Sequence, residues 1–141
     1  MQNYFAKNIK SGPALFDAIE RACEGLIYIS ETDSPMLPFA GEWASSINAR
    51  IILQQAGREA NAPVEEGSLE MFFGRLTAIK DWFRGPEQER AARFAELQKL
   101  LEGNLNGLRV FRIGKVQVEI IAVGLDREGI VMGVKTNVVE T

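Results

Sequence analysis

Any acid–base chemistry in this chain must come from carboxylates, because the sequence contains no histidine. That absence removes Ser-His-Asp and Cys-His nucleophile systems, histidine general bases and nearly all zinc sites. Glu31 and Asp33 share the polar run Ser30-Glu31-Thr32-Asp33-Ser34-Pro35, where two carboxylates can converge on a cation or a substrate proton. Loop solubility, with Ser30 or Asp33 capping nearby backbone groups, explains the same residues without chemistry. Glu65-Glu66 lies in the polar stretch 57–67 and is expected to be solvated. Cys23 is the single cysteine, so no internal disulfide can form, and it falls where a small core residue is wanted. No Walker loop, dinucleotide fingerprint, CxxC pair or EF-hand loop is present. We therefore assign no catalytic residue, no cofactor and no metal ion of the chain's own, and expect a binding protein rather than an enzyme.

Two features suit binding. Trp82 follows Lys80-Asp81 in a polar connection before Gly85, where a large aromatic either covers the core or anchors a partner. Composition favours the core for Trp82, and more so for Trp43. The other feature is Val138-Val139-Glu140-Thr141, which follows directly from an expected strand. Thr141 would carry a hydroxyl and an α-carboxylate ionised at neutral pH, the oxygen donors a hard cation such as Mg²⁺ accepts.

The elements that hold these residues fit one domain over residues 1–141 with 46% hydrophobic and 25% charged residues, a globular balance. A net charge of -3 with scattered Lys and Arg argues against direct nucleic-acid binding and favours a basic protein partner. No apolar run is long enough to span a membrane, and the first residues lack a secretory pattern, so the cytoplasm is expected.

Ser11-Gly12-Pro13 opens a helix that presents Leu15, Ile19, Ala22, Cys23 and Leu26 on one side and stops near Gly25. Leu26 to Ile29 is a short apolar run, 36–43 an extended segment pushed to an edge by Pro38, and 50–55 a further strand. The stretch 57–67 is read as loop. Ser68 caps a short helix through Arg75 that turns Leu69, Phe72, Phe73 and Leu76 inward. Gly85-Pro86 starts a long helix with Phe94, Leu97, Leu101 and Leu105 inside and a Glu89–Arg93 pair outside; the Gly/Asn cluster 103–107 ends it. Val110–Ile113 and Val116–Val123 form a hairpin around Gly114-Lys115, and 126–129 turns the chain into a last strand over 130–138. Val116, Val118, Ile120 and Ala122 share one face, yet Ile121 and Val123 make the opposite face apolar too. Such a strand needs cover on both sides. The fold class is accordingly α/β (α+β): an α/β/α sandwich around a mainly antiparallel sheet.

The chain also resembles the nuclease A inhibitor family, cyanobacterial proteins that block a sugar-nonspecific, Mg²⁺-dependent DNA/RNA endonuclease. The resemblance covers nearly the whole length. It is strongest over Gly25 to Glu31, Ile52 to Gln55, Phe72 to Arg75 with Asp81-Trp82, and from Leu97 to the closing Val138-Val139-Glu140-Thr141. It implies an α/β/α sandwich of the PR-1-like type and a partner-binding set at Glu31, Lys80, Trp82, Glu140 and Thr141, with Thr141 reaching the metal in the nuclease active site. Lys80 stands where the family has an interface glutamine. A binding module of the same fold with a non-nuclease partner is the alternative reading, and carboxylate chemistry at Glu31 and Asp33 a third.

Overall fold

The computed structural model describes residues 10–140. Its elements run α1 (Gly12–Cys23), β1 (Ile27–Tyr28), β2 (Ser34–Pro35), β3 (Leu37–Trp43), α2 (Ala49–Gln55), β4 (Val64–Gly67), α3 (Leu69–Thr77), α4 (Gly85–Asn104), β5 (Asn106–Ile113), β6 (Gln117–Leu125) and β7 (Ile130–Val139). Five strands form one sheet in the order β3-β7-β6-β5-β4, every neighbouring pair antiparallel, while β1 and β2 pair separately.

The two-faced pattern of β6 sets the layering. Val118, Ile120 and Ala122 meet Leu15, Ile19, Phe73, Phe94, Leu97 and Leu101 from α1, α3 and α4. Ile121 and Val123 meet Ile52 and Leu53 from α2 on the opposite face, with Phe39, Phe111, Ile113 and Val131. Each face therefore removes its own apolar surface from water, and the expected α/β/α sandwich is what forms. β3, carrying Pro38, is an edge strand as expected.

Several local expectations are corrected. Residues 50–55 form a helix, not a strand: Asn48 Oδ1 accepts from the Ile51 N–H at 3.0 Å and so caps α2. The stretch read as loop contains β4, which pairs with β5; Glu66 sits in it and ion-pairs with Arg109. The long helix continues through Gly103 and Asn104, and Gly107, at φ 65°, lies where the β5–β6 register shifts between Asn106 and Arg109. Ser11 makes no side-chain cap. Its place is taken by Asp126, whose Oδ2 accepts from the Gly12 N–H at 2.9 Å while Oδ1 accepts from Glu128 and Ile130 N–H groups at 2.8 and 2.9 Å. Asp126 is buried, so one carboxylate ties the N-terminus of α1 to the β6–β7 turn. Arg93 turns away from the expected i,i+4 pair and donates to the Ala22 and Glu24 carbonyls, capping α1 from α4. Val116 is exposed in the hairpin connection instead of sharing the buried face. Trp43 is no core residue: it is 64% exposed. Cys23 is buried as expected, and burial pushes its thiol up to about 12, against a smaller opposing pull from Arg93.

No helix among the described residues is long and apolar enough to cross a membrane.

Candidate partner-binding face

The candidate residues are positioned by a small buried hydroxyl. Thr136 on β7 is fully buried and donates its Oγ1–H to the Pro35 carbonyl at 3.0 Å, while the Met36 N–H donates to Leu26 O at 2.8 Å. These bonds hold the β1–β2 pair against the edge of β7. The loop between β1 and β2 is drawn tight by its own side chains: Ser30 Oγ donates to Thr32 O at 2.6 Å and Asp33 Oδ1 accepts from the Ser30 N–H at 3.4 Å. Asp33 is thus a local cap, and Glu31 is left exposed beside it.

Glu31 and Glu140, far apart in sequence, line one cleft of about 480 Å³ together with Tyr28, Ile29, Arg75, Leu76 and Val139. The Glu140 N–H donates to Val116 O at 2.7 Å, extending the β6–β7 ladder past the end of β7. Its carboxylate ion-pairs with Arg112 of β5, so Glu140 presents a partly neutralised charge. Thr141 lies outside the described residues.

Ile29, Arg75 and Leu76 also line a second recess with Phe83, Arg90 and Phe94. Phe83 packs edge to face with Trp82 at a centroid distance of 4.7 Å. The Phe83 N–H donates to Lys80 O at 3.0 Å, closing a tight turn. Lys80 is exposed and Trp82 is 63% exposed, so the core reading of Trp82 is replaced by the exposed one. Four of the expected residues are therefore gathered: Glu31 and Glu140 in the cleft, Lys80 and Trp82 beside the adjoining recess. Three were missed. Ile29 and Ile79 are exposed apolar side chains, 47% and 66% respectively. Ile79, in the polar connection before Gly85, has no periodicity to bury it, whereas Ile29 closes the apolar run from Leu26 and gives no such signal. Arg75, shared by both hollows, had no such signal.

Among the described residues no three His, Cys, Asp or Glu side chains converge as a metal-ion site requires. What the face offers is oxygens, a guanidinium and exposed aromatic and aliphatic area, which serves association.

A family model described as nuclease A inhibitor-like protein matches residues 14–141. The chain belongs to that family. No curated protein matches it significantly. Membership gives this inhibitor-like chain a nuclease-inhibitor role with a nuclease as protein partner, and its matched span includes most of α1, every strand and all of the gathered residues.

Proposed function

We propose that this chain is a single-domain cytoplasmic inhibitor of a Mg²⁺-dependent, sugar-nonspecific endonuclease, docking through the face just described and blocking the active site with Thr141. The observation that carries the reading is that Glu31 and Glu140 share one cleft adjoining the recess next to exposed Trp82. A cleft that binds phosphates and a cation is electropositive, and carboxylate oxygens are natural occupants of it. Trp82 supplies apolar area for the centre of the contact. Glu140 is held by backbone and ion pair, and order present before docking spares roughly 1–2 kcal/mol per residue on binding. The net charge of -3 suits a basic partner.

The test titrates the chain into nuclease A cleaving DNA in Mg²⁺. Stoichiometric inhibition is expected, weakening with rising salt mainly through slower association. No inhibition at any ratio overturns the reading. Lys80, in place of a glutamine, favours a second reading in which the partner is another protein. If Lys80→Gln tightens inhibition, the partner has shifted within the nucleases; if nuclease A is untouched and a different protein co-purifies, the second reading stands.

A further inference from the structure

We infer that Arg75 is a specificity-determining anchor of the same face, one that receives a carboxylate side chain from the nuclease; the inference rests on the inhibitor reading above. Arg75 lines the Glu31–Glu140 cleft, the Phe83 recess and a third, largely apolar groove walled by Met71, Phe72 and Arg112. It is the one side chain common to all three hollows. A cation in the last turn of α3 suits the helix dipole, but that accounts for its charge and not for its tether. Arg75 Nη2 donates to the Tyr28 hydroxyl at 3.1 Å. Tyr28 is buried and its ring stacks on Phe72 at a centroid distance of 5.9 Å and an interplanar angle of 8°. The guanidinium is thus anchored from below while the side chain stays exposed. Although two carboxylates share its cleft, Arg75 forms none of the ion pairs among the described residues, which are Arg58–Glu119, Arg109–Glu66 and Arg112–Glu140. One hydrogen bond occupies one of five N–H donors, leaving a planar fork suited to two parallel bonds with a carboxylate.

The chemistry of the occupant follows from the surroundings. Glu31 and the Arg112-paired Glu140 flank the fork; an extended polyanion would bring successive charges past both, whereas a carboxylate side chain brings a single charge to Arg75. A nuclease that holds Mg²⁺ does so through oxygen ligands, among which carboxylates are common. The contact then alternates in sign: carboxylates of this chain meet cations, and Arg75 between them meets an anion. Such alternation fixes register and rejects mismatched partners.

The test uses the full chain, nuclease A and Mg²⁺, with the inhibition constant and the association and dissociation rates measured together. Arg75→Met keeps the apolar stem, Arg75→Lys keeps the charge without the fork, and Tyr28→Phe removes only the tether. Arg75→Met should weaken inhibition by about 30-fold or more, chiefly through faster dissociation, and Arg75→Lys by about 10-fold. Tyr28→Phe should lose less than either, and thermal unfolding should stay close to that of the parent. If Arg75→Met inhibits like the parent while Trp82→Ala does not, the inference falls and the inhibitor reading survives. If the parent itself fails to inhibit, both fall. Full rescue by Arg75→Lys overturns the bidentate contact. Binding of a short labelled oligonucleotide that disappears in Arg75→Met assigns phosphate as the occupant and overturns the carboxylate.

Discussion

Trp82→Ala should separate binding from folding. The indole is 63% exposed, so of the roughly 250 Å² a tryptophan can bury, about 160 Å² remains for a partner. At about 25 cal/mol per Å² that area represents an upper limit near 4 kcal/mol. Association costs absorb part of it, and a loss of about 2 kcal/mol, or about 30-fold in inhibition constant, is the expected outcome. Within the free protein the variant gives up the edge-to-face contact with Phe83, about 1 kcal/mol, and the roughly 90 Å² already buried, about 2 kcal/mol at the same coefficient, which together lower the melting temperature on the order of 10 °C. The assay pairs a DNA-cleavage inhibition curve with thermal unfolding of the same preparation. An inhibition constant within about threefold of the parent, below a 0.7 kcal/mol effect, would refute the assignment of Trp82 to the contact. So would a loss that tracks unfolding instead of preceding it.

Three further predictions concern the scaffold. Asp126→Ala leaves the Gly12, Glu128 and Ile130 N–H groups without their shared acceptor; the cost should be on the order of 3 kcal/mol, read as a lower urea midpoint at unchanged slope. At Gly133 a Cβ would overlap the Ala122 carbonyl on β6, so Gly133→Ala should force the central strands apart and cost about 2 kcal/mol or more in the same titration. For Cys23 the folded thiol is raised from 9.0 to about 12 by burial. The neutral thiol is favoured in the fold, so its contribution is complete below pH 9.0 and is lost as pH climbs toward about 12. Stability of Cys23→Ala should therefore fall less steeply than the parent's over that window, and the parent thiol should resist a disulfide reagent at neutral pH until urea is added.

How much was legible in the sequence depended on whether a residue's neighbours were local. The alternation on β6 foretold cover on both faces because side-chain direction in a strand has a fixed period, and α2 and α4 supply that cover. Ile51-Ile52-Leu53 misled, since a β-branched run within a helix as short as Ala49–Gln55 gives periodicity too little length to speak; Asn48 was the signal to weigh. Glu65-Glu66-Gly67 has little strand propensity and is drawn into β4 by pairing with β5. The approach of Glu31 to Glu140 depends on Thr136 holding β2 against β7, a contact between distant segments that no local pattern announces. Trp82 is exposed because a connection carries its side chain, and Trp43 because it closes the edge strand β3.

If Thr141 blocks the nuclease as proposed, a terminal extension reads the block out directly. A short Gly-Ser tail appended after Thr141 is compared with the same tail placed before Met1, each titrated against nuclease A in Mg²⁺ after thermal unfolding shows both folds intact. The tail after Thr141 should abolish inhibition, and the tail before Met1 should leave it unchanged. Equal inhibition by the two proteins would contradict it.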